Sequence, residues 1–310
     1  MKNEPDIPRA KLLEHINQNY DVQLSTLEFL PLGEGAWCYR GVGDPEVFIR
    51  LLRNNRPRTS TALQTHLYEQ GFPTIRIMRD KHGGLSCIYV GLDIIIQPFI
   101  HAQPLMFLTN IDKTAFHRQV GQAAAQLHQL STDITLPIEN FDRFQAETRK
   151  LLAAESNPGY SQIIAPNKAL ISTLLNTTEA LGETLRAQQY DYVVCHGDLH
   201  DANVLIDKHD KLFIIDWDTA IRAPRERDLM FFVGESWGEY MSGYGSTKVE
   251  QQLMDYYHLE WALQEIADYG SRFLFDEHFD KAGKADALQQ FFDLFEQGGD
   301  VKRITHLLSL

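Results

Sequence analysis

Apolar residues recur at helical spacing over residues 8–20, where Leu12, Leu13 and Ile16 share one face, and predict a first helix. The period then shortens. LEFLPL, AWCYRGV and EVFIRLL are short β-rich runs broken by glycine and by the turn-like Gly43-Asp44-Pro45, and they predict strands. A helix follows, opened by Thr59 or Ser60 as cap and closed by Gly71. Strand-like runs at 74–78 and 93–97 come next, with Lys81-His82-Gly83-Gly84 as the turn between them.

The segment PFIHAQP, bracketed by Pro98 and Pro104, has no period and marks the expected boundary between two lobes. Residues 1–98 form the first, 99–104 a hinge, and 105–310 the second. Beyond the hinge the pattern turns helical: 114–130 places Phe116, Val120, Ala124 and Leu127 on one face, and 140–155 and 168–188 read likewise. At Tyr192 the helices stop and YVVCHGDLHDANVLIDKHDKLFIIDWD inserts strands and turns, after which 224–310 is mostly helical. The expected fold class is α+β, a small β-rich lobe joined to a larger α-helical one. The sequence has no internal repeat and no low-complexity tract.

The insert carries the chemistry. His196-Gly197-Asp198-Leu199-His200-Asp201-Ala202-Asn203 is followed by an apolar strand, and Asp216 closes the next apolar run. Phosphoryl transfer needs a carboxylate to orient a hydroxyl and accept its proton, and oxygen ligands for a divalent cation on the phosphates. A loop can set Asp198 and Asn203 on one rim, and a hairpin can return Asp216 to it. One carboxylate and one amide oxygen, completed by water and phosphate, suffice for Mg²⁺. Singly, each residue is an ordinary turn former or strand cap. In this order, between apolar strands, they point to a kinase.

H-G-D-L-H-x-x-N, a strand and I-D-W-D resemble the aminoglycoside phosphotransferase and choline kinase-like family. The stretch from Cys195 to APRERDLMFF is most similar to its spectinomycin phosphotransferase branch. The resemblance implies a bilobal, protein-kinase-like fold that phosphorylates small-molecule hydroxyls with ATP or GTP. It makes Asp198 the catalytic base and Asn203 and Asp216 the Mg²⁺ ligands. His196 would brace the loop and Asp228 tether the catalytic segment. Asp218 either supports the metal indirectly or forms a salt bridge at the strand exit. His200 either bonds within the loop or touches substrate. Only DWDTAIRAPRER separates Asp216 from Asp228, and no A-P-E follows, so there is no peptide-docking segment of the protein-kinase type. The acceptor is therefore expected to be a small molecule.

On the nucleotide side, Gly33 and Gly35 flank Glu34 between two strands and would let backbone N–H groups approach phosphates. Arg50 stands where the family has a lysine, keeping the charge in a longer planar fork. The following helix should offer a glutamate to that cation, but its sole acid, Glu69, sits at the wrong end. Gln97, Phe99 and Ile100 in QPFI resemble the interlobe hinge that meets the adenine edge.

The 310 residues carry a net charge of -13, which argues against nucleic acid or an anionic membrane as partner and suits a cationic acceptor. Glu235, Glu239, Asp255, Glu260, Glu265 and Asp268 are the candidates for its acidic wall, joined by Trp237, Tyr240 and Trp261. Cys38, Cys87 and Cys195 are scattered, so neither a disulfide framework nor a zinc site is expected. With no signal peptide and no long apolar run, a soluble cytoplasmic enzyme is expected. The sequence carries no signal for oligomeric state. The leading expectation is ATP-dependent O-phosphorylation of an aminoglycoside or aminocyclitol. The alternatives are a metabolic kinase for choline, homoserine or methylthioribose-like acceptors, and a nucleotide-binding regulator with weak catalysis, which Arg50 and the missing glutamate motivate. No residue distinguishes antibiotic resistance from metabolism.

Overall fold

The computed structural model describes residues 4–32, 35–53, 59–109, 111–234, 236–277 and 279–309. The chain divides into two compact units. One comprises Glu4–Pro137 and Val193–Thr247, the other Ile138–Tyr192 and Lys248–Leu310. The hinge expected at residues 99–104 falls inside the first of these.

That unit opens with helix α1 (Arg9–Asn19) and strands β1 (Gln23–Leu30), β2 (Trp37–Asp44) and β3 (Val47–Arg53). Strands β4 (Cys87–Tyr89) and β5 (Leu92–Pro98) complete an antiparallel sheet of order β1-β2-β3-β5-β4. Strand alternation explains its two faces. Val47, Ile49 and Leu51 join Leu12 and Ile16 of α1 in one core, each side chain worth about 1.5–3 kcal/mol on burial. Phe48 and Leu52 face a second cluster with Ala36, Cys38, Ile77 and Ile95. Arg50 lies between them in sequence and therefore on that second face.

Helix α2 (Thr59–Glu69) follows as expected, ending before Gly71. The run 74–78 does not form the strand that its composition predicts. Thr74 bridges Ile214 in parallel and Met78 bridges Ile96 in antiparallel fashion, so the segment changes partner before a ladder can propagate. The buried Gln64 of α2 pins it by donating Nε2–H to the Ile75 carbonyl at 2.7 Å.

Strand β6 (Ala102–Pro104) pairs with β8 (Val204–Asp207), which pairs with β9 (Leu212–Ile214); β7 (Val193–Cys195) pairs with β10 (Ile221–Ala223). Helix α3 (Thr114–His128) buries Phe116, Val120, Ala124 and Leu127, as its pattern predicts. The short α7 (Glu226–Leu229) and α8 (Trp237–Tyr244) finish the unit. Gly121 and Gly243 let α3 and α8 touch, since a Cβ at either would lie 2.0 or 1.9 Å from a carbonyl oxygen of the other helix.

The second unit is helical: α4 (Gln145–Leu152), α5 (Tyr160–Ile163), α6 (Lys168–Arg186), α9 (Gln251–Leu274), α10 (Lys281–Asp293) and α11 (Asp300–Leu307). Leu151, Ile163, Leu174, Leu263, Phe291 and Ile304 meet in its core. The helix expected over 140–155 begins only at Gln145. Glu139 Oε1 accepts the N–H groups of Asn140 and Phe141, and Phe141 and Phe144 turn to φ 56° and 61°. That local turn competes with the helix. Among the described residues no helix is long and apolar enough to cross a membrane.

Candidate active site

Strand β7 delivers the chain into the loop 196–203, and Asp228 anchors its start. Asp228 is fully buried, and its two carboxylate oxygens accept His196 N–H at 2.9 Å and Gly197 N–H at 2.8 Å. His128 Nε2 lies 3.1 Å from the same carboxylate, and its Nδ1 is 2.7 Å from the Tyr244 hydroxyl. Burial pushes the Asp228 carboxyl up, but His128, His196 and the Gly197 N–H hold it below its ordinary value. Cys195, also within reach of this junction, points its thiol at the carbonyls of Ala223 and Pro224. None of the three cysteines is joined in a disulfide.

Gly197 needs to be glycine. Its φ is 83°, and a Cβ would sit 2.5 Å from the Thr219 carbonyl. Thr219 in turn donates its hydroxyl to the His196 carbonyl at 3.0 Å. The His196 ring accepts Asp198 N–H on Nδ1 at 3.3 Å, so Nε2 carries the proton and donates to the Ile215 carbonyl at 2.8 Å. Its ring centroid is 4.6 Å from that of Trp217. Through these contacts the loop is tied to the turn that follows β9.

Asn203 donates Nδ2–H to the Asp198 carbonyl at 2.8 Å and to Asp198 Oδ2 at 2.9 Å. Asp198 Oδ1 is buried and accepts no hydrogen bond among the described residues. His200 Nε2 stands 3.5 Å from it, long for a hydrogen bond. Burial pushes the Asp198 carboxyl up, and the rings of His200 and His196 with the Asn203 amide bring it below the usual value. His200 accepts Ala202 N–H on Nδ1 at 3.2 Å, capping the short 3-10 turn Asp201–Asn203, and its ring faces Phe231 at 5.7 Å. His117 of α3, which the sequence reading does not single out, lies 3.2 Å from Asp201 Oδ2. Nothing in the α3 pattern marks it, because the partnership is tertiary.

Ile215 N–H donates to the Asn203 carbonyl at 3.0 Å, so the hairpin register sets Asn203 beside the residue that precedes Asp216. Asp216 is left-handed, at φ 63° and ψ 68°, with 52% of its side chain exposed. Enough protein still surrounds the carboxyl for desolvation to raise its pKa. Asp218 and Asp198 add to the rise, and Arg50 and His196 oppose it. Asn203 spends its amide nitrogen on Asp198, so its Oδ1 is the atom left for a cation. One carboxylate and one amide oxygen are hard donors of the kind Mg²⁺ takes.

Arg50 reaches across to this turn. Its Nη2 lies 2.5 Å from Asp218 Oδ2 and 3.9 Å from Asp216 Oδ1. Of the two roles open to Asp218, the geometry displays the salt bridge. The Ser60 hydroxyl is 3.1 Å from Asp218 Oδ1, so it does not act as the helix cap expected of it, and Thr59 is already the first residue of α2. Glu69 lies 3.7 Å from Arg79, away from Arg50.

Gly33 and Glu34 fall outside the described residues; Gly35 stands in the bend before β2. Gln97 pairs with Phe48 in the sheet, and Phe99 N–H donates to the Glu46 carbonyl at 3.1 Å. The Ile100 carbonyl accepts Ala102 N–H at 3.0 Å, turning the chain into β6 and so onto the strand that follows Asn203. Glu235 also lies outside the described residues. Trp237 and Glu239 sit half-buried on α8, while Trp261 and Glu265 belong to α9 of the other unit, where Trp261 packs against the apolar core. Two neighbours expected on an acceptor wall do not line a surface at all. Glu260 is 1% exposed, and Tyr240 is buried with its ring stacked 4.0 Å from Phe232. Asp255 and Asp268 are engaged within α9 by Gln251 and Arg272.

A spectinomycin phosphotransferase in complex with ADP and spectinomycin superposes on this chain with a TM-score of 0.84 at 25% identity, covering 99% of this chain and 100% of that one. Plasmodium vivax ethanolamine kinase shares the fold at a TM-score of 0.57 and 14% identity, over 86% and 80% of the two chains. The fold is thus the protein-kinase-like one. The curated Protein StrN of Streptomyces griseus is 23% identical over 291 residues, 86% of this chain and 88% of that one. The model of the phosphotransferase enzyme family matches residues 54–269, a span that takes in Asp198, Asn203, Asp216 and Asp228 alike. With that match over more than half its length, the chain belongs to the phosphotransferase enzyme family and is a phosphotransferase with an alcohol group as acceptor.

Proposed function

We propose that this enzyme transfers the terminal phosphoryl group of ATP to a hydroxyl of a small amine-bearing acceptor of the aminocyclitol class. The observation that carries the reading is the state of Asp198. One oxygen is fixed by Asn203, and the other is buried, held in its ionised form, and accepts no hydrogen bond among the described residues, with His200 Nε2 3.5 Å away. Such an oxygen orients an incoming hydroxyl and takes its proton as the new O–P bond forms and the bridge to ADP breaks. Asn203 and Asp216 would hold Mg²⁺, which when bound supplies positive charge to the donor's phosphate oxygens. Arg50 adds a fixed cation on the same side. The complex of the structural neighbour with ADP and spectinomycin supports both the donor and the acceptor class, and the net charge of -13 suits a cation.

The test is phosphate transfer from ATP to spectinomycin and a panel of aminocyclitols, amino sugars and choline-like amines. Asp198→Asn should lower turnover about 10²–10⁴-fold with the fold intact by circular dichroism. Turnover that survives the substitution removes Asp198 from the mechanism. Transfer to choline-like amines alone removes the aminocyclitol class.

A further inference from the structure

An arginine at the phosphate-binding position needs a counter-ion to hold its fork in one orientation, because the side chain otherwise loses considerable rotamer entropy on binding. The segment TSTALQTHLYE of α2 offers none nearby: its single acid is Glu69, which turns toward Arg79. The carboxylate comes instead from the turn after β9. Asp218 Oδ2 meets Arg50 Nη2 at 2.5 Å, and the other oxygen, Oδ1, meets the Ser60 hydroxyl at 3.1 Å. Both charged side chains are mostly covered, at 17% and 22% exposure, so water screens the pair little. Trp217, between the two aspartates, is 1% exposed and hydrogen-bonds the Thr74 hydroxyl at 3.0 Å, which fixes the turn that presents both carboxylates.

We propose that Asp218, oriented by Ser60, is the positioning residue for Arg50, standing in for the acid that α2 lacks and setting the guanidinium against the phosphates of the nucleotide. The inference rests on the nucleotide reading of the site above. It has a structural corollary. Phosphate cation and candidate metal ligand are both set by the 216–218 turn, and α2 joins them through a serine rather than an acid.

Calorimetric titration of ADP, with and without Mg²⁺, tests this on the full chain. Asp218→Asn should weaken ADP binding about tenfold, and Ser60→Ala about threefold. In steady state the KM for ATP should rise while the KM for the acceptor stays put. The decisive measurement is the cycle with Arg50→Ala: if Asp218 acts through Arg50, the double variant binds ADP no more weakly than Arg50→Ala alone. Additive losses, or a loss seen only as a higher Mg²⁺ requirement, overturn the proposal in favour of a role for Asp218 at the metal. Should Asp218→Asn fold poorly by circular dichroism, Ser60→Ala, which removes one oxygen, carries the same cycle. Wild-type protein that binds no ADP overturns the nucleotide reading itself, and is told apart from failure of the clamp by that control.

Discussion

The side-chain amide of Asn203 bonds both the backbone carbonyl and the carboxylate of Asp198, at 2.8 and 2.9 Å, so one residue fixes the other's main chain and rotamer together. Asn203→Ala therefore frees the carboxylate as well as deleting the oxygen proposed to hold Mg²⁺. Turnover should drop about 10²-fold, with circular dichroism unchanged. Wild-type turnover in this variant would mean that Asp198 is held by something else.

Asp228 holds two loop N–H groups from a site with no access to water. Asp228→Ala should cost about 3–5 kcal/mol in urea unfolding, because both donors lose their partner. The pH dependence has a definite sign. The folded carboxyl titrates below its ordinary value of 3.8, so its contribution is complete above that pH. It is lost as pH falls from there through the lower folded value. Asp228→Asn should flatten the acid limb of the stability curve. An unchanged limb would assign acid sensitivity elsewhere.

Gly197→Ala tests the close approach to Thr219. A methyl group 2.5 Å from a carbonyl oxygen, on a backbone at φ 83°, should cost at least about 1–3 kcal/mol and lower the melting temperature. Because the same contact links the loop to the turn after β9, turnover should fall as well. A melting temperature equal to wild type would show that the turn can move aside.

The bridge at Thr74 predicts a smaller effect. Its hydroxyl donates to the Ile214 carbonyl at 2.9 Å and accepts the Trp217 indole N–H at 3.0 Å. Thr74→Val should lose about 1–2 kcal/mol by urea unfolding and shift the tryptophan emission. Neither change would be seen if the indole were satisfied by the Ile214 carbonyl, 3.3 Å away, alone.

What the chain discloses in one dimension follows the range of the interaction concerned. The HGDLHDAN loop could be recognised because Asp198 and Asn203 are neighbours, and the hairpin that returns Asp216 is built from two apolar runs with a turn between them. Helices α3 and α6 were visible in their own apolar stripes. The partner of Arg50 was not, since Asp218 is 168 residues away and no local rule relates them. His117 and Asp201 met across 84 residues for the same reason. The 74–78 run has strand composition, yet each end is claimed by a different sheet, and that competition exists only in three dimensions. The late start of α4 comes from a side chain, Glu139, outbidding the helix for backbone donors.

The left-handed backbone at Asp216 restricts what substitution can achieve there. Asparagine tolerates that conformation and glycine adopts it freely, whereas alanine and the branched residues resist it. An Asp-to-Asn change consequently removes charge alone, and an Asp-to-Ala change adds a conformational penalty to the lost charge. If Asp216 holds the cation as proposed, asparagine or glycine there would remove that ligand with the backbone preserved, and such a variant would be hard to tell from the enzyme by shape.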